Sequence, residues 1–146
     1  MSIKANKGEW GEPYVAIRVL GEGKLYIADA DGNKNPHEWM DIVELIRHET
    51  MERIVTYRCK EEELVIDIDV NGKLILSVSA SEFLAMADKL AAEIKSAKGS
   101  SFNVSEDITD FLTKIELKHI KAKSIDKSDV FLSVRDPRAS ITRKHI

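Results

Sequence analysis

The sequence contains a single cysteine, Cys59. Neither a disulfide framework nor a cysteine zinc site can therefore be built within one chain, and a reducing cytoplasm fits. Long apolar runs are missing too: none approaches the ~20 residues of a membrane helix. Residues 1–7 are polar and lack the apolar core of a signal peptide, so export is not expected. There is no internal repeat and no low-complexity tract. The histidines, His37, His48, His119 and His145, are scattered, and none shares a helical turn with another or with Cys59. That spacing argues against a zinc cluster. Gly21-Glu22-Gly23 lacks the third glycine and the preceding strand of a dinucleotide motif. No serine has a nucleophile-elbow context.

What is present is the composition of a globular protein. Hydrophobic residues make up 43% and charged residues 32% of 146 positions, which argues against disorder and fits one domain spanning 1–146. The net charge of −3 conceals a split. Residues 114–146 carry nine Lys/Arg and four Asp/Glu, a net of +5, and the remainder carries −8. A basic terminal third suits a phosphate backbone, and it suits a plain solvated surface equally well.

The periodicity predicts both helices and strands. Pro13 suits a first turn, so a helix is expected to begin near Glu12. Tyr14, Val15, Ile17, Val19 and Leu20 would form its apolar face, and Gly21 or Gly23 would end it. A short strand over 25–28 and a turn-rich stretch over 29–36 follow. Residues 39–48 read as either a short helix or a strand. Val55, Tyr57 and Cys59 share one face of a strand; Leu64, Ile66 and Ile68 share one face of the next. Asn71-Gly72 is a type I′ hairpin signal leading into Leu74, Leu76 and Val78. Ser79 and Glu82 read as a capping box for a helix carrying Phe83, Ala87, Leu90, Ala91 and Ile94, with Gly99 as its stop. Ser105 caps another, with Ile108, Phe111, Leu112 and Ile115 on one face. Residues 117–122 look extended and 130–134 form a strand.

Two acids stand out. Glu12 lies at the mouth of the first apolar helix, and Asp129 opens the strand near the other end. Carboxylates brought together from distant elements can hold a hard divalent cation, which is the chemistry of phosphodiester cleavage. Each also has a plain reading, Glu12 as a helix-dipole partner and Asp129 as a turn residue. Asp67 and Asp69 alternate with apolar residues and read as the solvent face of a half-buried sheet rather than a metal pair. Asp29-Ala30-Asp31-Gly32-Asn33 opens like a calcium loop, but its frame puts Met40 where a bidentate Glu is needed.

The string Asn6-Lys7-Gly8-Glu9-Trp10-Gly11-Glu12-Pro13-Tyr14-Val15, followed by Leu20, Gly23-Lys24-Leu25-Tyr26, Ala28-Asp29 and Asn33-Lys34, resembles the opening of HpaII-type type II restriction endonucleases. Lys127-Ser128-Asp129-Val130 with Asp136-Pro137-Arg138 resembles the stretch before that family's catalytic lysine. The resemblance implies an α+β fold, a mixed β-sheet flanked by helices in a restriction-endonuclease-like core. It also implies Mg²⁺-dependent cleavage of double-stranded DNA at a short CG-rich site, and it allows a homodimer. Asp129 and Glu12 become the catalytic and metal-binding acids, and Lys121, Lys123, Lys127 and Arg138 the DNA contacts.

Two features depart from the family pattern. Gly11 and Pro13 stand where the family more often has a hydroxyl residue and a free helix former. The family also continues past its Asp-Pro-Arg into a strand with a Ser-Ile-Lys type motif, for which Thr142-Arg143-Lys144 is the nearest substitute and lacks the acid. The expectation is thus the N-terminal part of a larger nuclease, an incomplete core without the lysine-bearing strand. The alternative is a non-catalytic DNA-binding or assembly module.

Overall fold

The computed structural model describes residues 4–28, 30–117, 129–136 and 141–145, with the backbone alone at positions 36, 129 and 141–145. In chain order the elements are β1 (Lys4–Ala5), α1 (Lys7–Glu22), β2 (Lys24–Ala28), β3 (Lys34–His48), β4 (Ile54–Lys60), β5 (Val65–Val70) and β6 (Lys73–Ser79). Then come α2 (Ala80–Ser96), β7 (Phe102–Asn103), α3 (Glu106–Lys114), β8 (Asp129–Arg135) and β9 (Ile141–His145).

Asn6, not Pro13, decides where the first helix begins. Its side chain accepts from the Glu9 amide at 2.8 Å, while Glu9 Oε1 accepts from the Asn6 amide at 3.0 Å. This reciprocal box satisfies two amides that the helix leaves unpaired. The helix therefore starts five residues ahead of the expected position, and Pro13 is buried in its interior. The inward stripe is Trp10, Pro13, Ile17 and Leu20, whereas Val15 points outward and is 55% exposed. Gly23 ends the helix with φ 67°, in the left-handed region that a side chain disfavours.

Residues 39–48 resolve as strand, part of a 15-residue β3 that forms the spine of a seven-stranded sheet. The order is β6-β5-β4-β3-β8-β9, with β2 paired to the first half of β3. Every pairing among the described strands is antiparallel, where a mixed sheet was expected. Tight links such as Asn71-Gly72 allow only that, because a parallel pair needs a crossover of a dozen or more residues. Asn71 and Gly72 have φ of 52° and 83°, the two positive values of a type I′ turn. Leu64 leaves its expected face: it sits in the preceding turn at φ 55°, and Ile66 and Ile68 alone face inward.

The helices cover one face of this sheet. Val55 and Tyr57 of β4, Ile66 and Ile68 of β5, Val78 of β6 and Leu132 and Val134 of β8 meet the inward stripes of α1, α2 and α3 in one core. Full burial of each large apolar side chain contributes about 1.5–3 kcal/mol before the entropy of ordering is subtracted. The Tyr57 hydroxyl donates to the Ile115 carbonyl at 2.8 Å, joining β4 to the end of α3. Trp10 Nε1 donates to the Phe102 carbonyl at 3.0 Å, joining α1 to the small β1–β7 sheet. The α+β class is as expected, and three helices on an antiparallel sheet are consistent with a restriction-endonuclease-like core. Among the described residues, no helix is long and apolar enough to cross a membrane.

Candidate active site

Asp129 is the first residue of β8, in register with His48 at the end of β3. One step along, Phe131 packs its ring against His48 at 5.2 Å between centroids. β8 turns back into β9, whose register sets Lys144 opposite Leu132 and Arg143 opposite Ser133. A strand therefore does follow Asp136. Asp129 and Lys144 nonetheless occupy register positions of opposite parity, because Leu132 belongs to the buried set and His48 is exposed.

Behind the end of β3 lies a buried ion network that sequence reasoning missed. The Glu49 carboxylate, with no exposed surface, accepts from Arg47 Nη1 and from Arg53 Nε, each at 2.7 Å. Arg53 also reaches Glu116, donating Nη2 to its carbonyl at 3.3 Å with a carboxylate oxygen at 3.5 Å. Burial works against the Arg53 charge, but the Glu49 and Glu116 carboxylates hold its pKa above the ordinary value. Desolvation raises the pKa of the adjacent Tyr57 phenol. The network joins the end of β3 to the end of α3. Its signal was available in the sequence: Leu45, Arg47 and Glu49 follow the core-facing alternation, placing two charges where apolar residues are the rule.

The other candidates fall in different places. Glu12 is exposed on α1, at the sixth residue of the helix rather than its mouth, and the first-turn acid is Glu9. Lys121, Lys123, Lys127 and Arg138 lie outside the described residues. Asp69 is not solvent-exposed: it is 4% exposed and takes Arg58 Nη1 at 2.7 Å on one oxygen, while its Oδ1 has no hydrogen-bond partner among the described residues. The β4–β5 register runs unbroken through Asp69, so it shares the outer face with Asp67 and is buried there beside Arg58 rather than turned inward. Asp67 is half-buried and accepts from Ser77 Oγ at 2.6 Å. Cys59 borders a cavity of about 330 Å³ between the end of α1 and the sheet, and burial pushes its thiol up to about 12. Among the described residues, no three His, Cys, Asp or Glu side chains converge on a possible metal position.

Residues 6–145 match the HpaII restriction endonuclease family. The chain belongs to that family. Type II restriction enzyme HpaII of Haemophilus parainfluenzae is 33% identical over 141 residues, which cover 96% of this chain. The chain spans 38% of the length of that relative. No solved structure matches. Within the HpaII family match, the opening string corresponds to the capped start of α1, β2 and the start of β3. The closing string leads into β8.

Proposed function

We propose that this chain is the N-terminal part of a larger type II restriction endonuclease, cytoplasmic and homodimeric. The proposed activity is Mg²⁺-dependent cleavage of double-stranded DNA at a short CG-rich site. The observation that carries this reading is the family match along 6–145, together with 33% identity to a relative named as a type II restriction enzyme. In this reading Asp129 and Glu12 are the acids offered to Mg²⁺, which takes carboxylate oxygens and keeps several waters. The described side chains do not by themselves make a three-ligand cation site, so the remaining ligands belong to the rest of the nuclease or to the DNA. Lys121, Lys123, Lys127 and Arg138 face the phosphates, supported by the +5 balance of residues 114–146.

A second reading, a DNA-binding or assembly module without chemistry, is favoured by the strand register. Lys144 stands opposite Leu132, so β9 brings no lysine to the parity of Asp129. Duplex binding by fluorescence anisotropy, with and without Mg²⁺, tests the first reading. Weak binding should fall steeply with salt, weaken on reversal of Lys121 and Lys123 to Glu, and gain a Mg²⁺ increment lost in both Glu12→Ala and Asp129→Ala. The chain alone should make no site-specific double-strand cuts, since the register of β9 sets Lys144 at the opposite parity to Asp129, away from a water that Asp129 would hold. Binding indifferent to salt and to all four substitutions would overturn the proposal. Specific cuts lost in Asp129→Ala would make Lys144 the amine.

A further inference from the structure

The strand β6 forms one margin of the seven-stranded sheet, and among the described residues nothing pairs with its outer edge. Its sequence, Lys73-Leu74-Ile75-Leu76-Ser77-Val78-Ser79, has one charge and no proline. Leu74 and Ile75 are 55% and 48% exposed. A long apolar edge with open amides and carbonyls is a template for another strand, and proteins usually blunt such edges with several charges or a cover. Among the described residues the edge is thus incomplete in hydrogen bonding and in apolar burial.

We infer that β6 is the surface through which two copies of this chain associate, edge to edge and antiparallel. The argument for a second copy is charge complementarity along the strand. At one end, exposed Lys73 has no ion pair among the described residues. The other end, Ser79, is in register with Val65, directly after the exposed acidic turn of Glu61, Glu62 and Glu63. Glu61 engages Arg135, but Glu62 and Glu63 have no side-chain partner among the described residues. Antiparallel pairing about a twofold axis near Leu76 sets Lys73 of each copy beside Ser79 of the other, and so beside its Glu62–Glu63 turn. The same operation sets exposed Leu74 of each copy beside Val78 of the other, and exposed Ile75 beside Ser77. Each contact occurs twice, as an isologous interface requires. The bulge beside Leu74 shortens the regular ladder, so the association is reversible and depends on concentration.

This inference rests on the homodimer in the proposed function but not on cleavage, metal or DNA, and its test contains none of them. Sedimentation velocity over a concentration series should show a monomer–dimer equilibrium. Lys73→Glu should raise the dissociation constant roughly tenfold or more, with the circular dichroism spectrum unchanged. Adding Glu62→Lys and Glu63→Lys to Lys73→Glu should restore association, which a merely structural effect of position 73 would not allow. Ile75→Lys should also weaken the dimer. A monomer at millimolar concentration overturns the inference. So does a dimer indifferent to Lys73→Glu and Ile75→Lys, and so does a triple variant that fails to recover.

Discussion

Glu49 sits with its side chain fully buried between two guanidinium groups, one of which, on Arg47, is only 8% exposed. Removing one member of such a set strands the others in a poorly solvated place. Glu49→Ala should therefore cost about 3–5 kcal/mol, read as a lower urea midpoint at unchanged slope. A loss near that of an exposed pair, under about 1 kcal/mol, would show that water reaches the network. A second residue-scale effect is the alkaline limit. Burial pushes the Cys59 thiol up to about 12 from an ordinary 9.0, so above 9.0 the unfolded state releases its proton first. The Cys59 contribution should be level below pH 9.0 and be lost as pH rises toward about 12. The buried Tyr57 phenol, raised from 10.0, adds to the fall above that value. Urea titrations at stepwise pH should show a shallower fall for Cys59→Ser, and an unchanged slope would mean that the thiol is hydrated. These residues explain why the site was only partly legible. Glu49 follows a readable alternation, but Asp69 is buried on the outer face beside Arg58 of the neighbouring strand, which no local pattern announces.

At the scale of elements, the contact between α1 and α2 depends on Gly21. A methyl group there would meet Leu84 Cγ at 2.9 Å, Cδ2 at 3.0 Å and the Leu84 backbone amide nitrogen at 3.1 Å. Alanine in place of glycine within a helix gains about 1 kcal/mol in propensity, whereas overpacking costs about 1–3 kcal/mol. The side chain of Leu84 can turn aside but its backbone cannot, so overpacking should win. Gly21→Ala is expected to lower the melting temperature, while Gly11→Ala, with nothing within 4 Å, should raise it. Equal shifts of one sign from both would remove the helix-contact argument. Capping chemistry was readable where side chain and backbone sit close in sequence, as in Ser79, whose Oγ accepts from the Glu82 amide at 3.2 Å. The box is only half formed, because the Glu82 side chain turns to Lys114 at 2.8 Å. Residues 39–48 were ambiguous because Ile42, Val43, Leu45 and Ile46 satisfy both periods, and only partners on either side of β3 decide for strand.

For the whole molecule, the local half of the sheet was the legible half. From β4 to β6, successive strands are joined by short turns, and Asn71 reinforces its hairpin by accepting the Ile54 amide at 2.8 Å through its own side chain. The pairing of β3 with β8 has no such local sign, since Asp129 meets His48 only after nearly all of the intervening chain has been placed. That shared spine also sets an order of events. The turn-linked strands can form early, whereas β8 must await closure of a long loop. Native-state hydrogen exchange should accordingly find β8 amides opening at lower free energy than those of β4 and β5, and equal protection would refute this ordering. The candidate acid at Asp129 then exists in its site only for the fraction of time that β8 is closed. A cation or duplex that selects the closed form would make slowed exchange along β8 an early record of its arrival.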